Sequence, residues 1–156
     1  MNTGQVLQEL TDIERYFART TGCLDEADAA FAPTEGAMTA VQQVAHVADT
    51  VDWFVEGCFG EQGFDSDFEG RGAKANAVAS LADARAWVAR AFAAARDRFG
   101  AAGDAALAAP MRENPFLSGP LFTAALAIAD HTAHHRGALA VYARLRGKVP
   151  PMPYMD

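Results

Sequence analysis

Apolar residues recur along four stretches of this chain in alternating steps of four and three, the spacing that gathers them on one face of an α-helix. Residues 5–20 carry Val6, Leu10, Ile13 and Phe17, and Gly22 stops the pattern. Residues 39–59 carry Val44, Val47, Ala48, Val51, Phe54, Val55 and Cys58, opened by Thr39 three residues before Gln42, the spacing of a capping box. Residues 80–99 carry Leu81, Ala84, Val88, Ala91 or Phe92, Ala95 and Phe99, with Ser80 as cap, Asp83 in the first turn, Trp87 at the margin and Gly100 as the expected end. The fourth stretch begins near residues 118–120 and runs to Arg146, before Gly147 and Pro150. Its seam reads Leu117, Leu121, Ala124, Ile128, His131, His135, Ala138, Tyr142 and Leu145.

Between these stretches the chain reads as connections. Residues 24–37 contain Pro33 and Gly36 and can cross the end of a bundle. Residues 57–72 are rich in Gly, Asp and Glu, lack the EF-hand spacing, and read as a long loop that Phe59, Phe64 and Phe68 pin to the rest. Residues 101–116, with Pro110 and Pro115, are turn-rich. No segment alternates as a strand does. Four amphipathic helices therefore predict an all-α protein, a four-helix bundle forming a single domain over residues 1–156.

Composition adds exclusions. A hydrophobic content of 51% with 21% charged residues fits a folded helical protein, and 13 basic against 20 acidic residues, with no basic cluster, argue against nucleic acid as a partner. Cys23 and Cys58 have neither metal-ligand nor CxxC spacing, which suits a reducing compartment. No secretory signal and no run of about 18 apolar residues is present, so the expectation is a cytoplasmic protein without a membrane partner.

The dense chemistry lies at residues 130–137, Asp-His-Thr-Ala-His-His-Arg-Gly. His131 and His135 occupy seam positions where a bundle helix normally places Leu or Val. Two neutral imidazoles one turn apart in an apolar stripe need partners. Either each ring hydrogen-bonds a buried acceptor, or both ligate one divalent metal, whose ring nitrogens sit at about 2.0–2.1 Å. His134 lies off the centre of the seam, a flank or surface position. No Glu follows His131, so this is not the HExxH arrangement of a zinc protease. On the second helix His46 lies opposite the apolar face, beside Gln42, Gln43, Asp49, Thr50 and Trp53. That polar face is either solvent surface or the wall of a wet cavity from which a histidine reaches a metal.

One histidine early in the second helix, a His-xxx-His-Arg-Gly run on the fourth, and the closing YARLRGKVPPMPY together resemble the DinB-like (damage-inducible, YfiT-type) metal-binding four-helix bundles over nearly the whole chain. The resemblance implies a metal triad of His46, His131 and His135. Ala138 departs from the Gln frequent in the family's HHRGQ run, which weakens the case for a supporting role at that position and leaves the ligands intact. Three histidines leave a coordination position for water or substrate. Imidazole ligands suit zinc or nickel, and also iron. Relatives with known activity include thiol-dependent S-transferases and a maleylpyruvate isomerase with a low-molecular-weight thiol cofactor. The resemblance thus implies metal-dependent transferase, isomerase or hydrolase chemistry on a small-molecule substrate; the competing class is a non-catalytic metal-binding stress-response protein. Candidate catalytic residues are Asp49, one turn from His46, and Tyr142, two turns beyond His135 on the seam. Trp53 is a candidate wall of the site, and Arg136 is expected to pair with an acidic group on another helix. The apolar faces suffice for one core and leave a homodimer open.

Overall fold

A computed structural model describes residues 1–155. Five helices are present among the described residues: α1 (Thr3–Thr21), α2 (Ala40–Phe59), α3 (Phe68–Asn76), α4 (Leu81–Ala108) and α5 (Phe122–Leu145). No strand occurs among them; the only extended pairing is an isolated bridge between Pro110 and Pro120. The expected count of four is therefore corrected to five, the four long helices being joined by the shorter α3.

The starts of α1, α2 and α4 follow from side chains that accept the orphan N–H groups of a first turn. Asn2 and Gln5 form a reciprocal capping box at α1, Thr39 and Gln42 form the predicted one at α2, and Ser80 accepts from the Asp83 N–H at α4. Glu26, in a short 3-10 turn (Glu26–Asp28), adds its carboxylate to the N–H groups of Leu81 and Ala82 at 3.0 and 2.8 Å. A negative group at a helix N-terminus is favoured by the helix dipole. The connection between α1 and α2 is thereby anchored to the start of α4.

The chief pairings are α2 with α4 and α5, and α1 with α4 and α5, so the long helices form a ring in the order α1, α4, α2, α5. Val6, Leu10, Ile13 and Phe17 of α1 are buried in it, as are Val44, Val47, Ala48, Val51 and Phe54 of α2 and every predicted seam residue of α4. No helix is long and apolar enough to cross a membrane among the described residues.

Three predicted boundaries differ. Toward the end of the stretch read as a loop, Asp67 caps α3 by accepting from the Gly70 N–H, and the helix runs on past Gly72 to bury Ala75. Phe59 and Phe64 do pin the neighbouring segment, against Phe99 and Trp53. Gly100 does not end the third long helix: it stays inside α4, and the break comes at Gly103, whose φ of 75° is a conformation that side-chain-bearing residues avoid. The last helix begins at Phe122, so Leu117 and Leu121 precede it. Its buried face is also turned from the predicted seam: Ala125, Thr132, Leu139 and Ala143 are buried, whereas Leu145 is 59% exposed.

Candidate metal centre

On α2 the capping box fixes the first turn, and Gln43, His46 and Asp49 follow at intervals of three. On α5, His131 and His135 are one turn apart. The two helices run antiparallel, because Gln43 meets His135 while His46, further along α2, meets His131, further back on α5. The face of α2 that sequence left open between solvent and cavity wall is turned toward α5. His46 and His131 are half-buried, His135 is buried, and His134 is exposed.

The three candidate ligand atoms lie within 4.8 Å of one another. His131 Nε2 is 3.3 Å from His46 Nε2 and 3.2 Å from His135 Nε2. A ring nitrogen carries either one hydrogen or one lone pair, so His131 Nε2 can complete only one of these contacts as a hydrogen bond. A cation at the centre accepts all three lone pairs at once. The spacing fits: four ligands tetrahedrally placed at about 2.0–2.1 Å from a metal are about 3.3–3.4 Å apart. Burial and the neighbouring imidazoles push the His131 and His135 pKa values down to about 4 and about 3, and burial lowers that of His46. At neutral pH the three rings are uncharged, the form in which histidine binds metal.

Around the triad, Gln43 Oε1 contacts His135 Nδ1, Gln43 Nε2 donates to the Tyr142 hydroxyl at 3.3 Å, and that hydroxyl donates to the Met38 carbonyl at 2.9 Å. Asp49 is 5% exposed, not a solvated helix carboxylate. Its Oδ2 lies 3.4 Å from Arg71 Nε on α3, and Arg71 also donates to the Asp49 carbonyl at 3.2 Å. Asp49 Oδ1 is buried without a hydrogen-bond partner. Burial raises the Asp49 pKa, opposed by Arg71, Lys74 and His46.

Other candidates take different places. Trp53 joins Phe54, Phe64 and Phe116 at ring separations of 4.8–5.0 Å and donates its indole N–H to the Asp65 carbonyl. Arg136 finds aromatic partners instead of the expected acidic one: it donates to the Tyr154 hydroxyl at 3.1 Å and lies over the rings of Tyr16 and Tyr154. Burial pushes the Cys58 thiol up to about 11, which removes it as a nucleophile. Two residues of the site escaped the sequence reading. Gln43 stood in the polar set beside His46 with no role, because the ring it contacts, that of His135, lies on another helix. Arg71 was hidden in the stretch taken for a loop.

The class defined by fold and site is an all-helical bundle with three histidines converging from two helices. Residues 9–139 match the family model of the DinB superfamily, and the chain belongs to that superfamily. Its structure is similar to the crystal structure of a DinB-like protein from Bacillus cereus ATCC 10987, with a TM-score of 0.75 at 17% identity, covering 94% of this chain and 93% of that one. A comparison with curated proteins gives no significant match.

Proposed function

We propose that this chain is a metal-dependent enzyme acting on a small molecule, with a divalent ion, zinc or nickel ahead of iron, held by His46, His131 and His135. The observation that carries this reading is the convergence of three Nε2 atoms that protons alone cannot satisfy. Bound by three imidazoles with one position left for a small molecule, the ion supplies Lewis acidity toward a water, a thiol or a carbonyl oxygen. Asp49 is the candidate to take up a proton, a reading supported by its burial one turn from His46, by the rise in its proton affinity on burial, and by an Oδ1 without a hydrogen-bond partner. Arg71 holds the other oxygen and so keeps the carboxylate in place. Tyr142 stands on the far side of His135, within the hydrogen-bonded chain that ends at Met38. The reaction class proposed from family membership is transfer of a low-molecular-weight thiol, or a related isomerisation or hydrolysis.

A second reading, a metal-binding protein without turnover, draws on the Tyr142 hydroxyl hydrogen being committed to a backbone carbonyl. The test begins with metal content, by mass spectrometry, of protein purified without an affinity tag. Near-stoichiometric metal is expected in the wild type and loss in both His46→Ala and His131→Ala; a wild type that neither contains metal nor takes up zinc or nickel overturns the metal site. Asp49→Asn separates the two readings. Metal retained with a thiol-dependent reaction abolished supports an enzyme, whereas no reaction by the wild type across a thiol panel favours a binder.

A further inference from the structure

The hydrogen-bonded chain beside the triad has only one direction. A backbone carbonyl accepts and never donates, so the Met38 oxygen takes the single hydrogen of the Tyr142 hydroxyl. With that hydrogen committed, the tyrosine oxygen can only accept from Gln43, and the group Gln43 presents to it must be the amide nitrogen. The amide oxygen is then the atom facing His135 Nδ1, and two acceptors cannot face one another. Nδ1 therefore carries the hydrogen. In a neutral imidazole this leaves Nε2 bare, and Nε2 is the atom turned toward His131.

We infer that Gln43 and Tyr142 are positioning residues of the metal centre: by relaying the polarity of the Met38 carbonyl to His135, they hold its ring in the tautomer whose Nε2 lone pair points into the triad. The inference rests on the metal-site reading proposed above and extends it to residues that touch no metal. The chain crosses the α2–α5 interface, since Met38 immediately precedes the N-cap of α2 and Gln43 lies in the first turns of that helix, while Tyr142 and His135 are on α5. It is also sheltered, with Gln43, Tyr142 and His135 all buried. Without it His135 would be free to place its hydrogen on Nε2 and present an N–H where the metal requires a lone pair. Partners that orient a ligating histidine typically contribute 10–100-fold to metal affinity.

The variants differ in what they leave facing Nδ1. Gln43→Leu removes the acceptor. Gln43→Glu keeps an acceptor there and retains the tautomer. Tyr142→Phe frees the amide to turn over, which presents an N–H donor to Nδ1 and favours the wrong tautomer. Two readouts are taken on full-length protein whose helicity and melting are first matched to wild type: zinc affinity by competition with a chromogenic chelator, and the protonation site of His135 by nitrogen-15 NMR in the presence of excess chelator. Expected are zinc affinities about 10–100-fold weaker for Gln43→Leu and Tyr142→Phe, near wild type for Gln43→Glu, and an Nδ1–H signal for His135 that survives only in the wild type and Gln43→Glu. Gln43→Leu binding zinc as tightly as the wild type overturns the inference. If the wild type itself takes up no zinc, the metal-site reading fails and NMR alone decides: Nδ1–H retained in Gln43→Leu overturns the relay, and its loss sustains it.

Discussion

Asp28 holds two cations at one almost fully buried carboxylate: Arg146 Nε lies 3.0 Å from one oxygen, and the Lys148 ammonium bonds the other. Burial alone would raise its pKa, but the bonds from Lys148, the Asp25 N–H and Arg146 outweigh it and bring the value to about 2, below the ordinary 3.8. A carboxylate whose pKa is lowered by folding stabilises the native state above its unfolded value, and that contribution is lost as pH falls through the folded value. Stability should therefore decline by about 2 kcal/mol between pH 4 and pH 2 on account of this residue. Asp28→Asn, melted across the same range, should be less stable at pH 7 and show a shallower acid slope; an unchanged slope would assign the acid sensitivity elsewhere. Legibility differed from residue to residue of the site. His131 and His135 stood out because an apolar stripe makes two polar rings conspicuous. His46 lay on a polar face, where a histidine is unremarkable, and only resemblance to a family drew it in. Gln43 had no visible task because its partners, a ring and a hydroxyl on α5, are 92 and 99 residues away.

At the scale of elements, two glycines of α4 make opposite predictions. Gly100 is helical, and a Cβ there would sit 3.6 Å from the Leu7 side chain, an ordinary contact. Gly100→Ala should stabilise by up to about 1 kcal/mol, the difference in helix propensity. Gly103 has φ 75°, where a Cβ is strained whatever the space around it, so Gly103→Ala should destabilise by about 1–2 kcal/mol. Thermal melts of the two variants moving in the same direction would contradict this account. The same pair explains the misplaced boundary: Gly100 was the expected end, and only backbone conformation shows that it is carried through the helix while Gly103 makes the break. For α3 the signals conflict, since Gly70 and Gly72 argue against helix while Asp67 caps it and Arg71 ties it to Asp49 and Glu56 on α2. Tertiary contacts there override weak local propensity. On α5 the sequence is apolar on several sides, with Leu126 and Val141 exposed, so two seams with the same 4–3 rhythm compete and packing selects between them.

In the whole molecule the triad joins α2 to α5, two neighbours in the ring of long helices. An ion bound there stabilises the folded chain alone, because the unfolded chain holds no preformed site. Zinc at about a hundred times its Kd should add about 2.7 kcal/mol, a rise in Tm of about 5–10 °C for a domain of this size. His46→Ala should abolish the rise while leaving the melting temperature without zinc close to wild type; an equal rise in the variant would mean that zinc acts elsewhere. The broad plan was legible from hydrophobic spacing, as four long runs whose predicted inward residues are buried on α1 and α4 and, apart from the half-buried Val55 and Cys58, on α2. The order of packing was not, since nothing local states that α1 sits between α4 and α5.

The donor set is divided along the chain, with His46 separated from its nearest ligand partner by 85 residues. During synthesis the early helices emerge with one imidazole and nothing to complete its set, and a lone ring grips a divalent ion weakly. At the proposed site, capture of metal would thus wait until α5 has emerged and docked, which would make loading a report that assembly has finished.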